Sequence, residues 1–496
     1  MNKIFLEYIK EFEDTLKYVF HNKFDINQFS KERGIPAVVL RDIMSKSPLS
    51  VAIPEHFGGR GMKVHECLRI LSAASYESLP LSLTFGINIA LFLEPVAKYA
   101  NESVKEDIFK RFLNQQNMGG LMITEPNYGS DALGMQTYNE KLEDNYLIKG
   151  TKHWQGLTGM ADYWLITSRQ KNSNGGLNRD IDFFICDVTQ DNQQINVTEY
   201  YSNLGLYMIP YGKNEIDIQI PSKFKLEPET SGIKMMLDIL HRSRMQFPGM
   251  AIGFIKRLLD ESIKHCNKRI VSGKPLIELD QIQYQISKIQ SAHTIASAMC
   301  FRSSSNSGIE IDLSNNGIEA NTMKAFITDL MQESAQTTTQ LFGSQGFKTE
   351  NIGGRGIMDS RAFQIFEGSN EMLYTQITEM IVKFMKRQKE FNIYNFLKDF
   401  SLTNKSFEYF KKDIQFNFIP GIKQRKMIDL GKIFTRIISL NFVLELEEKG
   451  FQKDLIENCI ELLRLDVTQL TSAFHTKNNV NIIEEQGDNS LWYNFV

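Results

Sequence analysis

Leu121–Pro126 (LMITEP), Asn145–Gly156 (NYLIKGTKHWQG), Asp162–Arg169 (DYWLITSR), Asp180–Val188 (DIDFFICDV) and Asn214–Pro221 (NEIDIQIP) follow one another as short runs rich in β-branched and aromatic residues. Turn-rich pieces separate them. So many short strands in succession point to an antiparallel sheet or small barrel. Gln170–Asp180 (QKNSNGGLNRD) reads as an exposed hairpin loop between two of the strands. Helical texture flanks this block on both sides. In Val64–Leu79, apolar residues recur at three- and four-residue steps (Val64, Cys67, Leu68, Leu71, Ala74), and Ile53–Gly61 (IPEHFGGRG) interrupts the helices with Pro54 and three glycines. From about Gly232, long amphipathic stretches return (Gly249–Cys266, Asp280–Met299), a break is expected at Phe342–Ile357, and another helix runs from about Ser369 to Met385. The expected fold class is therefore α+β, mainly α. Its expected units are an N-terminal helical domain (1–118), a middle antiparallel β domain (119–230), a C-terminal helical domain (231–385) and a helical extension (386–496).

A chain of 496 residues exceeds one ordinary core, and 42% hydrophobic with 23% charged residues is a soluble globular composition. A net charge of −3 argues against holding nucleic acid or an anionic membrane through a large basic surface. The five cysteines are scattered and form no CxxC pair, which reads as reduced thiols in a cytoplasmic compartment. The opening MNKIFLEYIKEFEDTL is too acidic, and its apolar run too short, for a signal peptide. No run of 18 consecutive apolar residues occurs, so no membrane-spanning helix is expected. No metal-ligating cluster stands out.

Three segments carry chemistry. Thr124–Asp131 (TEPNYGSD) leaves an apparent strand with a hydroxyl and free backbone groups, suited to hydrogen-bond the edge of a flat ring; an ordinary polar turn looks the same. Lys149–Ile166 sets Trp154 beside Gly156 and Gly159, where indole could stack on an extended ring system or simply fill a β core. Arg361–Met372 (RAFQIFEGSNEM) places Glu367 among Phe363, Ile365 and Phe366. Desolvation there would make the carboxylate a stronger base, while a dipole-stabilised acid at a helix start needs no such role.

The joint order of these segments resembles the acyl-CoA dehydrogenase family. Ile53–Gly59, Arg242–Glu261, Lys268–Gln283 and Gln340–Phe347 add to the resemblance, which covers about residues 30 to 385. It implies a C-terminal four-helix bundle and FAD held between that bundle and the β domain. Carried over residue by residue, it implies that Leu121, Ile123, Thr124 and Ser130 line the flavin, with Ser130 also near the thioester. Trp154, Gln155 and Gly156 would lie along the flavin. Arg269, Gln340 and Gly343 would reach the FAD of a neighbouring subunit, which implies a homodimer or a tetramer built from dimers. Ser369 and Glu371 would touch the cofactor, Gly368 the substrate, and Arg244 the CoA adenine end. Glu367 matches the base that takes the α-proton of an acyl thioester, carried by CoA or an acyl-carrier protein. Electron-transfer flavoprotein is the implied electron acceptor.

Two departures stand out. After Trp154 the family usually has Ile-Thr, whose hydroxyl contacts the flavin; here Gln155 and Gly156 follow, leaving Gln155 or Thr158 to replace it. A same-fold oxidase or monooxygenase using oxygen, or a non-enzymatic relative, is the alternative reading. The second departure is the extension after residue 385, expected to pack as extra helices on the dimer or over the flavin site rather than to bind a membrane, since it lacks a strongly basic polar face.

Overall fold

The computed structural model describes residues 3–29, 32–476 and 480–496. An N-terminal group of helices comes first: α1 (Lys3–Tyr18), α2 (Ile26–Phe29), α3 (Ala37–Met44), α4 (Val64–Glu77), α5 (Leu79–Asn88), α6 (Glu94–Tyr99) and α7 (Glu102–Asn114). A π-helical turn at Ile89–Leu93 joins α5 to α6, so that Leu79–Tyr99 runs as one apolar rod. By length and composition this rod could cross a membrane, but 89% of its apolar window is buried inside the protein, as in a core helix. Its polar groups are internally satisfied. Ser82 donates to the Leu71 carbonyl, Thr84 to that of Pro80, and Asn88 both donates to Thr84 and accepts from the Gly119 N–H at 2.7 Å. Asn88 thereby ties the rod to the first strand.

The middle unit is a seven-stranded sheet: β1 (Gly119–Met122), β2 (Tyr138–Lys141), β3 (Asn145–His153), β4 (Tyr163–Gln170), β5 (Asp182–Asp187), β6 (Asn196–Tyr200) and β7 (Gly212–Pro221). Its order is β1-β4-β2-β3-β7-β6, with β5 also on β4. The sheet is mixed rather than antiparallel throughout, because β4 pairs parallel with both β1 and β2. Runs of β-branched and aromatic residues identify strands but not partners; here the β2–β3 hairpin lies between β1 and β4 in sequence, and β4 returns alongside β1 in the same direction. The hairpin read at Gln170–Asp180 links the antiparallel pair β4 and β5.

The long helices follow: α8 (Gly232–Lys268), α9 (Asp280–Asn306), α10 (Gly317–Phe342), α11 (Ile352–Arg361) and α12 (Asn370–Gln388). The expected break at Phe342–Ile357 is shorter than its five glycines suggest. A 3₁₀ turn covers Gly343–Phe347, and α11 starts at Ile352, with Asn351 capping it through the Gly353 N–H. The helix α4 crosses α8 where Gly253 faces the Ser72 carbonyl, so close that any side chain at 253 would strike that backbone. The extension adds α13 (Ile393–Asp399), α14 (Lys411–Ile414), α15 (Gln424–Glu447) and α16 (Lys453–His475), with α15 packed on α12 and α9, and α16 on α9.

A buried polar cluster fastens the rod to α8. Tyr99 and Lys98 donate to Asp238, Arg242 bonds Asp238 and the carbonyls of Ser307, Gly308 and Ile311, and Gln246 donates to both oxygens of Glu94. Burial raises the Glu94 carboxyl to about 7, against the opposing pull of Arg242 and the Gln246 amide. A carboxyl raised in the folded state binds more protons there than in the unfolded chain, so its contribution to stability falls as pH climbs from about 4.5 to about 7. Glu94→Gln, which keeps a partner for Gln246, is expected to raise the melting temperature at pH 8 and to change it little near pH 4. Thermal unfolding at the two pH values checks this.

Candidate active site

The left-handed backbone at Glu367 (φ 52°) and at Gly368 (φ 90°) forms the turn between Phe366 and α12. Glycine adopts such a conformation freely, whereas for glutamate it is uncommon and must be held by its surroundings. Two buried cations hold it. Arg244 on α8 donates through Nε and Nη2 to the Glu367 carbonyl (3.1 and 2.8 Å), and its Nη1 donates to Asn321 at 2.7 Å. Lys324 on α10 donates to the Gly368 carbonyl at 2.7 Å and to Asn370 Oδ1 at 2.9 Å. Asn370 in turn donates to the Ala325 carbonyl, Thr328 and Asp329, locking the first residue of α12 onto α10.

The Glu367 side chain is held at one oxygen only. Ser243 Oγ donates to Oε1 at 2.9 Å, while Oε2 is buried and has no protein partner. The Glu367 N–H also finds no protein acceptor among the described residues. Phe247, Phe363 and Phe366 stand together nearby, with ring centroids 5.0–6.0 Å apart. Burial raises the pKa of Glu367, opposed first by Arg244, then by the Ser243 hydroxyl and Lys324. Burial and the Arg244 charge lower Lys324 to about 7. The result is a desolvated carboxylate with one uncommitted oxygen, equipped to take a proton.

The structure corrects the expected place of Arg244. It is 6% exposed, and its donors go to Glu367 and Asn321, so it braces the turn from beneath rather than reaching an adenine end. Ser243, Asn321, Lys324 and Asn370 were not singled out from the sequence. Their signal was faint: Arg242-Ser243-Arg244 and Lys324 put charges inside otherwise apolar stretches of helix, which buried helices carry only for a reason.

A second group forms at the sheet edge. The chain leaving β1 and the chain leaving β3 meet there: His153 N–H donates to the Thr124 carbonyl at 3.0 Å, and Gln155 Nε2 donates to the same carbonyl at 3.2 Å. Beneath them lies Lys152, fully buried and paired with Glu125 at 2.9 Å, also donating to the Ile123 carbonyl and Thr167. Leu121 and Ile123 are half-buried, and Ser130 is exposed. Trp154 has left-handed backbone (φ 61°) and is 51% exposed, with Tyr201 and Tyr211 beside it. Tyr201 and Tyr211 lie tilted by 46° and 52° to the indole, beside free backbone groups, among them the Gly156 N–H, which no protein acceptor takes among the described residues. That surface suits an isoalloxazine ring.

Neither candidate for the missing hydroxyl is free. Thr158 is buried, donates to the Gln155 carbonyl at 2.8 Å and accepts from Asn214; the Gln155 amide bonds Thr124 and Asn214. No hydrogen bond joins this group to the Glu367 cluster among the described residues. Ser369 caps α12 without a side-chain bond, and Glu371 lies exposed on its first turn. Arg269, Gln340 and Gly343 are exposed, with Arg269 Nη1 against Gly343, at one end of α8 and α10.

Comparison with known proteins gives a consistent picture. Residues 9–116 match the N-terminal domain model of acyl-CoA dehydrogenases, 120–218 the middle domain and 230–382 the C-terminal domain. An acyl-CoA dehydrogenase of Bacillus subtilis is 22% identical over 354 residues, covering 69% of this chain and 89% of its own. Among solved structures, butyryl-CoA dehydrogenase from Megasphaera elsdenii superposes with a TM-score of 0.68 at 20% identity, over 77% of this chain and 99% of its own. An acyl-CoA dehydrogenase from Bacillus anthracis complexed with FAD reaches 0.74 at 17% identity and covers 96% of this chain and 88% of its own, so the likeness extends into the extension.

Replacing Arg244 by leucine removes two charge-assisted bonds to a strained turn and strands the Glu367 carbonyl. The expected cost is about 2–3 kcal/mol of stability. Asn321→Ala, which removes only the outer brace, is expected to cost less; denaturant unfolding of the two variants checks the order.

Proposed function

The chain belongs to the acyl-CoA dehydrogenase family of flavin-dependent oxidoreductases, and from that premise we propose that it converts a saturated acyl thioester, carried by CoA, to the trans-2-enoyl thioester. The observation that carries this reading is the Glu367 carboxyl: buried, steered by Ser243 at one oxygen, with the other oxygen uncommitted. FAD is the cofactor, and when bound it supplies the acceptor for the hydride leaving the β-carbon. The residues that fit it are Thr124, Trp154 and Gly156 at the sheet edge.

Glu367 Oε2 takes the proton from the α-carbon as that C–H bond breaks. The Glu367 N–H donates to the thioester oxygen, where negative charge develops. Phe247, Phe363 and Phe366 keep water from the carboxylate, which strengthens both the base and that hydrogen bond. Arg244 and Lys324 keep the turn left-handed so that the N–H and the carboxylate of one residue serve the same substrate. The exposed grouping of Arg269, Gln340 and Gly343 supports a homodimer in which each subunit completes its neighbour's cofactor site. Electron-transfer flavoprotein is the proposed oxidant of the reduced cofactor.

Anaerobic titration of the FAD-loaded protein with saturated acyl-CoAs of several lengths tests this. The flavin absorbance is expected to bleach with one length class, and Glu367→Gln to slow the bleaching by roughly 10²–10⁴-fold. Flavin that stays oxidised with every length would defeat the proposal.

A further inference from the structure

Where the extension meets the C-terminal half of α12, a cavity of about 490 Å³ opens to solvent. One wall is apolar, formed by Val382 with Phe418, Pro420, Ile422 and Met427; the other carries Lys383, Lys386 and Arg387, with Glu379 as its one acid. All three cations are exposed, and none has an ion-pair or hydrogen-bond partner among the described residues. Ile419 at the rim is 72% exposed. Charge and apolar surface together ask for an acidic ligand with large apolar side chains.

The same chain supplies one. Val480–Val496 (VNIIEEQGDNSLWYNFV) carries Glu484, Glu485 and Asp488, with no lysine or arginine. Its apolar side chains are uncovered: Ile482, Ile483, Trp492 and Phe495 are each more than 75% exposed. The helix before it ends near the cavity's apolar wall. Lys426 donates to the carbonyls of Ala473, Phe474 and Thr476, and Phe416 packs on Phe474 and His475, so the end of α16 is fastened to the loop that forms the apolar wall. From Thr476, the residues up to Leu491 can span roughly 50 Å when extended. A tether so placed gives an effective concentration on the order of millimolar, which favours the chain's own segment over that of another copy.

We propose that Val480–Val496 docks in cis into the Lys383–Lys386–Arg387 cavity, its aromatic residues on the Phe418–Met427 wall and its acids on the three cations. The site lies at the far end of α12 from Glu367 and is independent of the reaction proposed above.

Photo-crosslinking of the full FAD-loaded chain tests this. Phe495 is replaced by p-benzoyl-phenylalanine, heavy- and light-isotope chains are unfolded and refolded together with FAD so that any dimers contain both, and crosslinked peptides are read by mass spectrometry after illumination. The expected product joins residue 495 to the 379–387 or 418–427 region within one isotope type. It should fall at least ~10-fold in a Lys383→Glu, Lys386→Glu, Arg387→Glu variant whose flavin content shows that it folds, about what losing one charge-assisted contact would do. Mixed-isotope crosslinks at the cavity would assign it to a second copy and overturn docking in cis. Crosslinks elsewhere, or insensitive to the charge reversal, would overturn the cavity as the site.

Discussion

Two consecutive carbonyls, those of Glu367 and Gly368, each accept a hydrogen bond from a buried cation. A left-handed glutamate is not stable by itself, and the loop before α12 has no sheet or helix ladder to hold it. Arg244 and Lys324 provide that hold from two different helices, so the turn exists only when α8, α10 and α12 are packed in register. Removing water from these cations is costly, as the lowered Lys324 shows, and the rest of the bundle offsets that cost. The geometry of Glu367 is thus a property of the whole helical domain rather than of its own loop.

The same dependence runs to the other domains. Arg242, next to Ser243 on α8, bonds Asp238, which also takes Tyr99 and Lys98 from the apolar rod; Asn88 in that rod takes the first N–H of β1. A chain of buried polar contacts therefore leads from the helix carrying Ser243 and Arg244 to the strand that leads to Thr124. Each contact is worth little by itself, but a buried polar group left unpaired costs about 1–3 kcal/mol, so the links are kept together. The extension adds to the outer side of the bundle: Arg436 on α15 bonds Asp466 and reaches the Tyr374 hydroxyl on α12, while that hydroxyl donates to Asp329.

The helix–sheet–helix layout was legible because periodicity changes at Gly119 and again near Gly232, where β1 and α8 begin. Strand direction was not: the β-branched and aromatic run Tyr163–Gln170 marks a strand, one buried on both faces over its first six residues, but nothing in it says that β1 and β2 lie parallel to β4. Glu367 stood out through its apolar neighbours. Its backbone conformation did not, since glutamate followed by glycine is equally at home in an ordinary turn. The sequence gives the Arg244 charge without its direction; the fold turns its donors to the Glu367 carbonyl and Asn321. Ser243 and Lys324 act across long separations, 124 and 44 residues from their partners, which no local pattern records. Gln155 and Gly156 stand out in the sequence as departures, yet only the fold reveals that Gln155 and Thr158 are both committed to Asn214 and to the nearby backbone, which leaves the Gly156 N–H as the free group.

The central claim is that one buried carboxylate, tuned by its neighbours, removes the α-proton. Its most direct test is the pH dependence of single-turnover flavin reduction under saturating acyl-CoA, compared between the native chain and Ser243→Ala. Burial raises Glu367 and the Ser243 hydroxyl lowers it. The rate should therefore rise along a limb lying above the ordinary glutamate range, and in Ser243→Ala that limb should move to still higher pH. A limb at the ordinary glutamate value, or one that stays in place when the Ser243 hydroxyl is removed, would contradict the account.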